Sequence, residues 1–295
     1  MEAERKPIPN TQSLPSALAP SRQRVPDWLD RFVRSPVGKF LRQHFEYVVM
    51  PVVFLGALWM WSLLIRLGDY PAFLLPPPSM VWNKLIVVAS DGTLLKHAGY
   101  TAWESILGFL IALVFGTVLG YFFAKSPFFE KLISPYIIAS RGVPVIAIAP
   151  LLVIWFGFGL ASKVFVSFFI VFFPMLVNTI VGIREVNADQ RELMRSYQAS
   201  RWQAFHILEI PSAMPVLLAG IKVGITGSIM GAVVGEFVGS DRGLGFLVNL
   251  SKGLFDTSLM FVAIGALAAM SFLLYISVWA LEAIVLRGRR NSTSE

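Results

Sequence analysis

Glu192-Leu-Met-Arg-Ser-Tyr-Gln-Ala-Ser-Arg-Trp-Gln-Ala-Phe-His-Ile-Leu-Glu-Ile-Pro211 is a charged, helix-compatible stretch wedged between two long apolar runs. Its surroundings give it meaning. Of 295 residues, 56% are hydrophobic and 15% charged. The mean hydropathy of +0.67 is beyond a soluble domain, which must cover its core with polar surface. A chain built for lipid that keeps such an insert uses it to touch something outside the bilayer. There is no cysteine, so disulfides, thiolate catalysis and cysteine-held metals are excluded. The net charge of +7 would suggest nucleic acid only on a soluble fold with a basic face, and topology accounts for it instead.

A spanning helix needs about 20 mostly apolar residues. Six runs qualify, at 46–68, 99–124, 134–157, 161–183, 212–237 and 258–286. If the N-terminus is inside, the even number of spans returns the C-terminus to the same side. Lysine and arginine support that choice. Arg5, Lys6, Arg22, Arg24, Arg31, Arg34, Lys39 and Arg42 precede the first span, and Lys125, Lys131, Arg184, Arg191, Arg195, Arg201, Arg287, Arg289 and Arg290 fall in the other inside segments. The outside segments carry only Arg66, Lys84, Lys96, Lys163, Arg242 and Lys252, as the positive-inside rule requires. The expected architecture is an all-α membrane protein with six transmembrane helices and both termini cytoplasmic. A tail occupies 1–45, the membrane domain 46–286 with short cytoplasmic helices at about 186–210, and a second tail 287–295. Within the first tail, residues 1–26 are too polar to pack. Residues 27–44 interleave Trp28, Leu29, Phe32 and Phe40 with Arg31, Arg34 and Lys39, which reads either as a basic amphipathic element on the inner leaflet or as a plain orienting flank.

Small residues recur at helical spacing inside two spans. Gly108, Ala112, Gly116, Gly120 and Ala124 form one row, and Gly227, Gly231, Gly235 and Gly239 another, beside Gly220, Gly224, Ser228 and Ala232. Such rows let helix backbones approach where lipid offers no hydrophobic drive. The first row reads as bundle packing; the second reads either as packing or as a smooth surface lining a pathway. Pro135, Pro144 and Pro150 break the third span, and irregular backbone at membrane depth is tolerated where it is buried in protein or faces a cavity. The candidate pathway is therefore Arg141, Pro144, Pro150, Gly227, Gly231, Gly235 and Glu236, with Arg141 either facing the path or snorkelling to the interface. Arg141 and Lys222 are also the cations able to attract an anionic substrate.

Catalytic signatures are missing. The chain has no H-E-x-x-H and no G-x-S-x-G, and His44, His97 and His206 lack ligand spacing, so no metal site is expected. Gly38-Lys39 is followed by Phe40 and preceded by Val33, where a phosphate-binding loop needs Ser or Thr and Gly. The expectation is a non-enzyme that binds no cofactor itself. No chain of intramembrane carboxylates suggests a proton relay, and no filter or charge ring suggests a channel. An ion-coupled secondary transporter or channel acting without an ATPase remains the alternative.

The insert fits a motif found in permease subunits of ATP-binding-cassette importers: Glu-Ala-Ala, three residues, Gly, nine residues, then Ile-x-Leu-Pro. Glu192 takes the Glu position, Leu193 and Met194 replace the alanines, Gln198 replaces the Gly, and Leu208-Glu209-Ile210-Pro211 matches the end. Phe73 to Trp82 with its three prolines, Arg141-Gly-Val-Pro144, Ala149 to Gly159, Ala199-Ser-Arg-Trp-Gln203 and Gly243-Leu-Gly245 resemble segments of permeases for taurine, alkanesulfonates, nitrate, bicarbonate and thiamine precursors. The resemblance covers residues 46–286. It implies the type I importer permease fold in the bacterial inner membrane, working as a homodimer. The implied partners are ATPase subunits that bind ATP and Mg and a periplasmic or lipid-anchored binding protein, with membrane lipid around the chain and no nucleic acid. It also implies that Glu192, Gln198, Ala199, Ser200, Arg201, Trp202 and Pro211 couple the chain to the ATPase. The implied substrates are a small organic or inorganic anion or a vitamin precursor. Gln198 departs from the motif where glycine would readily take a positive φ.

Overall fold

The computed structural model describes the backbone of residues 45–290. The amphipathic element expected at 27–44, residues 291–295 and the side chain of Arg141 lie outside the described residues. The chain divides into two units, Met1–Trp61 and Ser62–Glu295. The described part of the first is an apolar helix, α1 (Phe45–Gly68), with Pro51 inside it, which runs on into the second.

The second unit continues with α2 (Pro78–Ser90), α3 (Thr93–Lys125), α4 (Pro127–Gly142), α5 (Val145–Phe156), α6 (Leu160–Arg184), α7 (Ala188–Ser196), α8 (Arg201–Gln203), a π turn (Ala204–Glu209), α9 (Ile210–Gly239), α10 (Leu244–Gly253) and α11 (Thr257–Arg290). Among the described residues five helices are long and apolar enough to cross a membrane, and a sixth crossing exists if the bent pair α4 and α5 counts as one span. All six expected spans thus have counterparts. The third is broken more sharply than three scattered prolines suggest. Its halves meet at 96°, and Pro144, in extended backbone, precedes the first residue of α5. Proline pushes its predecessor out of the helical region, so the break falls at Val143-Pro144. With 12 residues, α5 is about 18 Å long and cannot cross alone.

The small-residue rows act inside the subunit. A side chain at Gly108 would meet Ser167 Cβ at 2.5 Å, one at Gly116 would meet Met175 Cβ at 2.8 Å, and one at Gly120 would meet Thr179 Cβ at 2.7 Å. All three partners lie on α6. On the other side of α6, Gly231 abuts the Ser167 backbone and Gly235 would place a Cβ 2.9 Å from Lys163 Cα. Helix α6 is therefore sandwiched between α3 and α9, and Ser167 Oγ donates to Ser228 O at 2.9 Å across the second seam. A core of Phe109, Ala112, Val171, Met175, Ile225 and Val278 fills the space where α3, α6, α9 and α11 meet. Ala149 and Leu152 of α5 pack with Val166, and α10 sets Leu244 and Leu247 against Ala263 of α11.

Candidate functional site

The insert folds as a short helix, a tight turn and a second short helix. Helix α7 starts at Asn187, whose side chain accepts from Asp189 N at 2.8 Å. Arg191 Nη2 donates to Ile183 O at 2.6 Å, giving an otherwise orphaned carbonyl near the end of α6 a partner. The exit from α7 explains Gln198. Its N–H bonds Arg195 O at 2.9 Å, Ala199 N–H bonds Met194 O at 3.0 Å, and Gln198 has φ +52°. This is a Schellman motif, which places a left-handed residue just past the helix end and favours glycine there. Gln198 takes the glycine conformation without being glycine, so the departure from the motif changes the cost of the turn and leaves its path intact.

Ser200 then starts α8. Its Oγ accepts from Gln203 N at 3.2 Å while Gln203 Oε1 accepts from Ser200 N at 2.8 Å, a reciprocal capping box. Back-to-back termination and capping leave Tyr197 at 77% and Trp202 at 69% exposure, with Glu192, Ser200 and Arg201 exposed and Ala199 half-buried. Trp202 packs edge-on against His206, ring centroids 4.1 Å apart. Exposed aromatic and basic side chains on a rigid turn are what a docking surface presents. The π turn links α8 to α9, where Pro211 occupies the first turn.

Sequence reasoning missed what anchors this insert. Glu209 accepts from Tyr121 Oη at 3.2 Å and pairs with Lys125 Nζ, both near the end of α3.

The candidate pathway residues separate. Pro144 and Pro150 are exposed and Gly227 is half-buried; a Cβ added at Gly227 would find Ile170 Cγ2 nearest, at 3.5 Å. Gly231 and Gly235 are covered by α6, and Glu236 is 1% exposed. Of the two readings of the glycine row, packing is the one found at Gly231 and Gly235, and Glu236, expected beside the pathway, is instead enclosed by hydrogen bonds. Val223, Met230 and Phe237 are the exposed large apolar side chains of α9. Lys222 is paired with Glu282 of α11, so it is not a free cation awaiting an anion.

Glu236 belongs to a polar cluster that holds α10. Thr101 Oγ1 donates to Glu236 Oε1 at 2.6 Å and accepts from Leu244 N at 2.7 Å, while Gly245 N donates to Glu236 Oε2 at 2.5 Å. Gly243 N donates to His97 Nδ1 at 3.0 Å. The first amides of a helix lack intrahelical partners and carry partial positive charge, so a carboxylate and two neutral acceptors suit them. Gly243 has φ +104° and any Cβ there would collide with the Glu236 carboxylate, which is the physical reason for glycine in Gly243-Leu-Gly245. Glu104 lies beside Glu236, and Lys163, equally buried, donates to Phe158 O at 3.1 Å. Outside the spans, Arg242 donates to both oxygens of Asp241 at 2.8 and 3.0 Å. The guanidinium holds that carboxyl down at about 2. Among the described residues no group of histidines and carboxylates could hold a metal ion.

A helical bundle with a broken span, a capped outer helix and a polar two-helix insert is the architecture of an integral-membrane transport subunit. Residues 112–290 match the family described as "Binding-protein-dependent transport system inner membrane component", and the chain belongs to that family. It is 40% identical over 247 residues to the riboflavin transport system permease protein RibX of Chloroflexus aurantiacus, covering 83% of this chain and 92% of RibX. It is 30% identical over 230 residues to the taurine transport system permease protein TauC of Escherichia coli, covering 76% and 84%. Its fold resembles a chain of the MetNI methionine ABC transporter in inward-facing conformations, with a TM-score of 0.52, 17% identity and coverage of 62% of this chain and 93% of that one. The chain is thus a permease subunit of an ATP-binding-cassette importer of the inner membrane, with ATPase partners. The alternative of a transporter or channel working without an ATPase is set aside.

Proposed function

We propose that two copies of this chain form the translocation pathway, with their termini and the α7–α8 turn on the cytoplasmic side. The ATPase subunits, which bind ATP and Mg, dock on that turn through Ala199, Ser200, Arg201 and Trp202. Glu192 and Gln198 shape the approach and Pro211 starts the moving helix. A periplasmic or lipid-anchored binding protein delivers the substrate at the α10 end. The observation that carries this reading is the turn itself: a left-handed Gln198 followed by a Ser200 capping box presents aromatic and basic side chains where the family motif falls. ATP-driven closure can shift the permease only through differential contacts in its two states, and a rigid turn supplies such contacts.

The pathway would run along the exposed faces of α5 and α9, past Pro144, Pro150 and Gly227, with Arg141 at the break. That lining is apolar and aromatic, with Trp155, Phe158, Met230 and Phe237 exposed, and Lys222 is neutralised by Glu282. A planar vitamin-type heterocycle, of the kind the name of RibX specifies, fits this lining better than a small anion. The test is uptake of labelled riboflavin and taurine by cells carrying the complete transporter. Riboflavin uptake that disappears in Ala199→Glu/Ser200→Glu, with the permease still in the membrane, is the expected result. Wild-type uptake in that variant refutes the docking role, and uptake of taurine alone refutes the substrate class.

A further inference from the structure

The docking turn is not attached to the bundle by its backbone alone. Between α8 and α9 lies the π turn Ala204–Glu209, a rare form that inserts one extra residue per turn and recurs at functional sites. It ends on Glu209, which is 6% exposed although it lies in the polar insert. Both carboxylate oxygens are engaged from α3: Oε1 by Lys125 Nζ and Oε2 by Tyr121 Oη. The Tyr121 ring meets Phe205 at 5.1 Å, edge to face, and Phe205 lies 5.8 Å from Trp202. An unbroken side-chain path thus runs from the exposed tip of the turn into the end of α3. Helix α3 is close-packed on α6 through Gly108, Gly116 and Gly120, so displacement of its end cannot be absorbed by a local gap.

We infer that Glu209 is a positioning residue that clamps the docking turn to α3, so that the turn and α3 move as one body when the ATPases close. The inference rests on the reading that the turn is the ATPase docking site. A covalent link to α9 would by itself let the turn swing about the π segment. The paired charge and the tyrosine remove that freedom, because breaking the clamp would leave a nearly buried carboxyl group without its hydrogen-bond partners. The drive from the ATPase then reaches α3 as well as α9, and the opposite end of α3 carries His97 and Thr101, which accept from Gly243 N and Leu244 N at the start of α10.

The chain contains no cysteine, so two can be introduced without background. Spin labels at exposed Ser196 on α7 and Val118 on α3 report their separation in the permease assembled with its ATPase in lipid nanodiscs, diluted with unlabelled permease. The expected wild-type result is one narrow distance that is the same without nucleotide and after trapping with ATP and vanadate. Glu209→Gln and the milder Tyr121→Phe should split or broaden it in the trapped state, and the exchange Lys125→Glu/Glu209→Lys should restore the single distance. A wild-type distance that changes on trapping overturns the clamp, as does a Glu209→Gln distribution as narrow as wild type or an exchange that restores nothing. ATPase retention is scored separately. If Ala199→Glu/Ser200→Glu keeps its ATPase, the docking reading fails, whatever the distances show.

Discussion

Replacing Gln198 by glycine should strengthen the α7–α8 turn, and the size of the effect can be worked out from the backbone. Gln198 sits at φ +52°, where an L-residue with a Cβ is disfavoured by roughly 1–2 kcal/mol. Glycine escapes that cost but brings more freedom to the unfolded chain, which opposes folding by roughly 0.5–1 kcal/mol. The difference favours Gln198→Gly by about 0.5–1 kcal/mol, a two- to fivefold fall in the opening constant of the turn. The side chain is exposed, and no hydrogen bond from it is lost. Amide hydrogen exchange on the assembled transporter is the assay. The reporters are the N–H groups of Gln198 and Ala199, which bond Arg195 O and Met194 O. Their exchange should slow two- to fivefold in Gln198→Gly, while Gln198→Val, with a branched Cβ in the same left-handed position, should speed it. Exchange that is unchanged or faster in the glycine variant would refute the reasoning, because it would mean that the turn carries no left-handed penalty.

Other changes have equally definite outcomes. Ser200→Ala removes the Ser200 half of the capping box and should weaken α8 by about 1 kcal/mol, seen as faster exchange at Gln203 N, which now bonds Ser200 Oγ. Gly231→Val drives a side chain into the Ser167 backbone and should abolish monodisperse protein in size-exclusion chromatography. Gly227→Ala, with 3.5 Å to its nearest neighbour, should leave the elution profile unchanged. Thr101→Val deprives Leu244 N and Glu236 Oε1 of a shared buried partner, a loss of about 1–3 kcal/mol, and exchange at the Leu244 amide should rise while that at Gly116 stays fixed. Asp241 has its carboxyl lowered from 3.8 to about 2. Its pairing with Arg242 is therefore fully present above pH 3.8 and lost as pH falls through about 2, and carboxylate NMR of Asp241 should show no titration between pH 7 and 4.

Much of this fold was legible because lipid imposes a coarse grammar. Four of the six apolar runs lie within four residues of their helices at each end, while α3 and the broken pair begin six and seven residues before their runs; the glycine row of α3 marked its packing face, since small residues let backbones approach in lipid. The smooth rows of α9 were harder. Spacing says that a helix can be approached closely but not by which neighbour, and Gly231 and Gly235 meet α6 of the same subunit. Two short helices joined by a turn do lie in the polar insert, yet the turn's conformation depends on the Cβ-bearing residue Gln198 adopting what glycine prefers, which no propensity would suggest. The Glu236 cluster left a signal that could have been read: His97, Thr101 and Glu104 recur at four- and three-residue spacing, one polar stripe on an otherwise apolar helix. The Glu209 clamp left none, because its partners Tyr121 and Lys125 lie more than eighty residues away.

The two polar clusters answer one physical problem at opposite ends of α3. Long helices in lipid can associate through dispersion contacts along glycine rows, which fix how close the backbones come but are weak in fixing anything short. Helices α8 and α10 have three and ten residues, too few to build such a seam. Directional bonds are what remains to hold them, and in an apolar surrounding each bond is strong when made and costly when broken. Hence Glu209 takes Lys125 and Tyr121 at one end, and Glu236 takes Thr101 and the first amides of α10 at the other. Because both sets of partners sit on α3, a helix of about 50 Å by its 33 residues, the position of the α7–α8 turn and the hold on α10 are fixed by the same element. A transport cycle that moves the turn must either carry α10 with it or break one of the two clusters.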